Sequence, residues 1–265
     1  MSESVQTTLA GGILRICINR PARLNAIDLA TMSELADVIA GAAADSTIRV
    51  IVLTGEGRAF CTGADLAAAA ASGGNEASPE TVMAEAARMI RAVIQAPIPV
   101  IAQINGPAAG VGASLALAAD LHYAAESTYL LLPFTAIGLL PDGGATALVP
   151  AGMGRARAME MALLSNRLPA PEAAAAGLIT AAVPDAELTE HVYAIATRLA
   201  AGPRRALELT KAAVNAATLS GLEPAFDREA TAQIELLVSP DFYEGTMAML
   251  GKRAPRFTDA PQGNE

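Results

Sequence analysis

The chain has 265 residues, 52% of them hydrophobic and 17% charged, with a formal net charge of −9. That balance describes a globular chain with a large core; it excludes a disordered one and argues against a nucleic-acid binder, which needs a basic face. No apolar run reaches the roughly 18 residues that a membrane span requires. The N-terminal Met-Ser-Glu-Ser-Val-Gln-Thr-Thr shows no basic stretch followed by an apolar one. Cys17 and Cys61 are too few for a disulfide framework and form no metal-ligand cluster, so a reduced, cytoplasmic setting without a metal is expected.

In chain order, Gly12–Ile18 alternates as a strand and Asn19–Ala26 is a polar loop containing Pro21. Asp28 suits the N-cap of a helix running to about Ala43, with Leu29, Met32, Leu35 and Ile39 on its apolar face. Ile48–Thr54 is a second, buried strand. The turn-rich connection Gly55–Leu66 is long enough to suggest a function of its own. Ala67–Pro79 is Ala, Ser and Gly with little to bury, which predicts a mobile surface segment over the acyl end of any substrate. Pro79 opens a helix through about Ile94, with Val82, Met83, Ala86, Met89, Ile90 and Val93 at helical spacing. Glu80 and Glu85 are expected on its solvated face, with a second acid facing the site as the competing reading.

The strand Ile98–Ile104 then runs into Asn105–Asp120, around which the chain is organised. Gly106, Pro107, Gly110 and Gly112 break regular structure before a helix of small residues continues through Leu117. A strand, a glycine-rich turn and a helix start leave backbone N–H groups pointing outward, which suits a negatively charged oxygen. The glycines alone are equally the mark of a tight turn with a close helix–sheet contact. Their spacing is neither the dinucleotide nor the Walker pattern.

Leu121–Ala125 and Thr128–Leu132 are strand-like, and Pro133–Thr146 is irregular, with a helix starting near Gly143 that Asp142 is placed to cap. Helices at Arg155–Leu164 and Pro171–Ala176 and a strand at Leu178–Val183 follow. Beyond Pro184 the pattern is helical only: Leu188–Ala201, Pro203–Ala217, Leu222–Val238 and Pro240–Leu250. The expected organisation is an α/β core over residues 1–185 and a helical region over 186–265. His122 is expected on a strand and His191 at the surface.

The irregular segments, taken together, resemble the crotonase superfamily, the enoyl-CoA hydratase/isomerase family. The resemblance rests on N-R-P-x-x-x-N-A at Asn19–Ala26, A-F-C-T-G-A-D-L at Ala59–Leu66, N-G-P-A-A-G-V-G at Asn105–Gly112 and I-G-L-L-P-D-G-G-A-T at Ile137–Thr146, with A-x-G-L-I at Ala175–Ile179. It implies an α/β crotonase (ClpP-like) spiral of ββα units and a C-terminal helical region that forms a homotrimer or a dimer of trimers. It also implies an acyl-CoA substrate, with coenzyme A entering as part of that substrate and no separate cofactor. The resemblance assigns the oxyanion hole to the main-chain N–H groups of Ala64 and Val111. It assigns CoA binding to Arg23, Arg58, Ala59 and Leu66, completed by Lys252, Arg253 and Phe257 of the same or a neighbouring subunit. A solvated basic tail is the competing reading of those last three.

The sequence departs from the hydratases of this family at both of their glutamates, where it has Ser114 and Phe134. One acid remains, Asp142, at the position where several isomerases of the family carry their carboxylate. A single base suffices to move a double bond from the 3- to the 2-position of an enoyl-CoA. Ser114, Phe134 and Leu139 are expected to line the acyl pocket, and apolar neighbours such as Ile137 and Leu140 to lift the pKa of Asp142. Aryl-CoA dehalogenases place a nucleophilic aspartate at the same position but rely on a tryptophan, and this chain has none. A non-catalytic acyl-CoA-binding paralogue and a hydratase with another water-activating group stay open as alternatives.

Overall fold

A computed structural model describes residues 4–71 and 77–258. Strands β1 (Val5–Ala10) and β2 (Ile13–Ile18) form an antiparallel hairpin with Val5 opposite Ile18 and Ala10 opposite Ile13. From β2 the sheet continues in parallel through β3 (Val50–Gly55), β4 (Val100–Ile104), β6 (Leu121–Ala125) and β9 (Ala181–Val183). β5 (Ala108–Ala109), β7 (Tyr129–Leu131) and β8 (Leu168–Pro169) make a second, three-stranded sheet. The unpredicted β1 is an edge strand in which only Val5 is buried, so it lacks the apolar alternation that would announce it.

The fully buried runs of β3 and β4 follow from parallel pairing with both faces covered. On one face lie α1 (Leu29–Ala44) and α3 (Pro79–Gln95), which pack against each other over the main core. The Asp28 carboxylate accepts from Thr31 N–H and Ser78 caps α3, so both helices start where their capping residues place them. On the other face α7 (Leu188–Ala200) brings Leu188, Val192 and Ala196 onto Ile13, Val50, Val52 and Ile101, forming a second core.

The expected surface segment after Leu66 begins instead as a helix, α2 (Leu66–Ala71), whose N-terminus the Asp65 carboxylate caps through Ala68 N–H. An alanine run needs no apolar face to be helical once it is capped. The remainder of that prediction, at 72–76, lies outside the described residues. α4 (Val111–Leu117) is buried throughout. α5 (Ala145–Leu164) joins the two helices expected near Gly143 and at Arg155, with a break at Gly154, where φ is 77°. Leu178 and Ile179 are not in the sheet; both donate to Ala173 O and close α6 (Ala170–Ala175).

The later helices differ in how they meet this body. α8 (Arg204–Thr218) buries no residue. α9 (Leu222–Leu237) lies along α3 and puts Leu222 and Phe226 into the main core. α10 (Pro240–Leu250) rests on the 3-10 turn Thr135–Ile137, where a Cβ on Gly245 would stand 2.5 Å from Ile137 Cα.

Candidate active site

Two loops are joined along their backbones to make one wall of the site. Cys61 pairs with Ala108 in a parallel bridge, Ala109 N–H donates to Cys61 O at 2.9 Å and Phe60 N–H to Pro107 O at 3.2 Å. Ile27 bridges Ala64, donating to Gly63 O at 2.8 Å and accepting from Asp65 N–H at 3.0 Å. The asparagines of the two motifs are braces: buried Asn25 donates to Glu56 O and Ala59 O, and Asn105 accepts from Gly55 N–H and donates to Gly57 O. Gly112 is required for the fit, because a Cβ there would lie 2.3 Å from Cys61 O.

This stitching leaves the N–H groups of Ala64 and Val111 without a hydrogen bond among the described residues. Val111 opens α4, so its N–H has no partner within the helix. The segments that carry the two donors touch, since a Cβ on Gly63 would sit 2.9 Å from Ala109 O and 3.5 Å from Gly110 Cα. The valine side chain faces the turn at Asp142–Gly143: its Cγ2 is 3.3 Å from where a Gly143 Cβ would be.

The opposite wall is built from side chains. Asp142 does not cap α5, contrary to the sequence expectation. Glu229 of α9 does so, accepting from Gly144 N–H at 2.7 Å, Thr146 N–H at 2.9 Å and the Thr146 hydroxyl. The Asp142 carboxyl accepts instead from Gln233 Nε2, 2.7 Å from Oδ2, and its Oδ1 is buried without a partner. Its main-chain carbonyl accepts from Ser114 Oγ at 2.7 Å, which ties α4 to this turn. Burial drives the Asp142 pKa up to about 7; the Gln233 hydrogen bond works against that rise and the nearby Glu229 charge adds to it. Burial raises Glu229 as well, against the hydrogen bonds from Thr146 and Gly144. A carboxyl near neutrality can both take and return a proton.

The remaining predicted positions divide into two groups. Phe134 and Leu139 are buried, with Phe134 Cζ 3.9 Å from a Cβ built on Gly110, while Ser114 and Val111 both face Gly143. Arg23 is exposed and lies 3.6 Å from Asp65, Arg58 is exposed, Ala59 is buried and Leu66 half-buried. Lys252, Arg253 and Phe257 follow the end of α10. There Arg253 pairs with Glu244, and Arg256 and Thr258 N–H donate to Glu244 and Asp241. No hydrogen bond or ion pair among the described residues joins this tail to Arg23, Arg58 or Leu66. Glu85 is held by Ser33 and Arg88 and Glu80 is exposed. His122 is on β6, with Nε2 3.3 Å from Leu117 O. His191 is half-buried and packs edge-on against Tyr123, ring centres 4.8 Å apart.

Gln233 and Glu229 escaped sequence reasoning, although a signal was there. Leu222, Phe226, Glu229 and Gln233 share one buried helical face, and polar residues on an otherwise apolar stripe mark a partner in need of satisfaction.

Free backbone donors beside a lone, near-neutral carboxyl define a class: an enzyme site suited to moving a proton next to a carbonyl whose oxygen it holds. The family model described as enoyl-CoA hydratase/isomerase matches residues 8–261. A probable enoyl-CoA hydratase of Rhodobacter capsulatus is 43% identical over 257 residues, covering 97% of this chain and 98% of the relative. A 1,2-epoxyphenylacetyl-CoA isomerase of Escherichia coli is 38% identical, covering 97% and 99%. The crystal structure of an enoyl-CoA hydratase from Mycobacterium avium subsp. paratuberculosis superimposes with a TM-score of 0.89 at 44% identity, covering 97% and 99%. The chain therefore belongs to the enoyl-CoA hydratase/isomerase family, within the crotonase superfamily, whose enzymes act on acyl-CoA thioesters.

Proposed function

We propose that the protein is an enoyl-CoA isomerase that shifts a double bond between the 3- and 2-positions through a thioester dienolate. The observation that carries this reading is the state of Asp142: relieved of helix capping by Glu229, buried, and with Oδ1 unpartnered. Ser114 and Phe134 stand where hydratases of the family have glutamates, and among the described residues the other acid that acts on Asp142, Glu229, is committed to Gly144 and Thr146.

In this reading Asp142 Oδ1 removes a C2 proton from the 3-enoyl thioester. Charge flows to the thioester oxygen, which the Ala64 and Val111 N–H groups hold, each worth about 3 kcal/mol in comparable oxyanion holes. The same carboxyl returns the proton at C4, leaving the conjugated 2-enoyl thioester. The thioester is itself the electron sink, so the reaction requires no metal or redox cofactor, and coenzyme A is the substrate's handle. The name of the E. coli relative supports an isomerase; that of the R. capsulatus relative speaks for the competing water addition. The proposal includes a homotrimer or dimer of trimers in a cytoplasmic setting, in which Lys252 and Phe257 complete a neighbour's nucleotide site. Exposed Val238, Tyr243, Met247 and Leu250 at α10 support such an interface.

The test is ultraviolet detection of conjugated 2-enoyl-CoA formed from a 3-enoyl-CoA. Asp142→Asn should lower the rate by about 10²–10⁴-fold with CoA-ester binding retained, the range for loss of a general acid/base. A silent wild type that still binds the ester would leave a non-catalytic acyl-CoA binder. Hydration of a 2-enoyl-CoA that the variant loses would instead make the protein a hydratase.

A further inference from the structure

We propose that Gln233 is a positioning residue that holds Asp142 by Oδ2 and so leaves Oδ1 as the oxygen that exchanges the proton. Its consequence for turnover rests on the isomerase reading above; its geometry does not. Gln233 is wholly buried on α9, 91 positions from Asp142 in sequence. Its Oε1 accepts from Leu140 N–H at 3.2 Å and its Nε2 donates to Leu140 O at 3.1 Å. That two-way pairing decides which end of the amide is which. Turning it over would set oxygen against the Leu140 carbonyl and N–H against N–H. The second proton on Nε2 is thereby directed at Asp142 Oδ2, 2.7 Å away.

The choice of an amide has a chemical consequence. A guanidinium or ammonium at this distance would hold the carboxylate ionised, and a second carboxylate would compete with it for one proton. A neutral N–H donor tolerates both protonation states, as a group that takes a proton and later returns it needs. The oxygen already accepting the amide proton is the less basic of the two, so the carboxyl proton resides on Oδ1. The charged group facing Asp142 from α9 is Glu229, already engaged by Gly144 and Thr146, with Arg228 acting on Glu229. From α4 the neighbours are Ser114, bonded to the Asp142 carbonyl, and Val111, both uncharged. A residue that served only to brace the 139–142 turn would need Leu140 and not the carboxyl.

The measurement is the titration of Asp142 followed by the infrared band of its protonated carboxyl, taken as the difference between each protein and its Asp142→Asn counterpart. It needs no turnover. Gln233→Met keeps the volume and removes the hydrogen bonds; Gln233→Glu keeps the acceptor for Leu140 N–H and replaces the donor. The midpoint should rise by about one unit in Gln233→Met, from loss of a hydrogen bond to the charged form. It should rise further in Gln233→Glu, where two carboxyls share a proton. In the isomerase assay kcat should fall about tenfold or more in Gln233→Met with KM changed less than about twofold, as for a group acting only on the proton-transfer step. An unchanged midpoint in either folded variant overturns the proposal. A wild type without isomerase activity overturns the reaction and leaves the infrared result to decide the role of Gln233.

Discussion

The two walls of the site are built in opposite ways. The donor wall is backbone: loops 60–65 and 107–112 bridge each other, and its N–H groups are free because strand-like pairing and a helix start leave them so. The acid wall is side chain: Asp142 owes its character to Glu229 and Gln233 of α9, the latter 91 residues away in sequence. A backbone wall has no pKa and tolerates little change of shape. A side-chain wall tolerates changes of shape, and its electrostatics can be retuned one residue at a time.

Shape should therefore break the first wall. In Gly112→Ala the new Cβ would meet Cys61 O at 2.3 Å, so the loops must part. Losing one aligned donor of an oxyanion hole costs about 10²–10³-fold in kcat, and forcing atoms into a packed site typically costs a further 1–3 kcal/mol in stability. The isomerase assay and a urea titration read the two effects, and near wild-type values in both would show that the wall is softer than its contacts indicate.

Charge should alter the second wall while leaving its shape. The Asp142 pKa rises from 3.8 in the unfolded chain to about 7 in the fold, so the folded state holds the proton more tightly. Its favourable contribution is complete below the unfolded pKa and is lost as pH climbs through about 7. Asp142→Asn should thus match wild type near pH 3.5 and exceed it at pH 8 by up to about 4 kcal/mol. Chemical denaturation at the two pH values checks this, and equal stability at both would show that the carboxyl ionises without cost. A smaller effect is expected of Glu229→Gln, which cannot accept from Gly144, Thr146 N–H and the Thr146 hydroxyl together. A buried polar group left unpaired costs about 1–3 kcal/mol. Removing the charge should also move the pH midpoint of kcat/KM to lower pH, because Glu229 raises the Asp142 pKa. A midpoint that stays put or moves up would remove Glu229 from the electrostatics of the site.

What was legible in the sequence was local. Asp28 and Ser78 cap the helices they precede, Pro79 opens α3, and the glycines between Asn105 and Gly112 mark where backbones approach. Each signal acts within four residues or demands one residue type whatever surrounds it. The edge strand β1 and the alanine helix α2 carried no such pattern: one hides little from water, and the other is held by a cap on Asp65. Pro-Asp-Gly-Gly left capping and a free carboxyl both open, and capping falls to a longer-range carboxylate that reaches the same N–H groups.

By itself, then, the sequence determined most of the strands and helices from residue type and spacing and, through the resemblance its motifs carry, the family and the two stretches that hold the N–H donors. Only the tertiary structure decided which acid caps α5 and which stays buried and near neutral. A pKa is set by lost solvent and by neighbours in space, and here those neighbours arrive on α9.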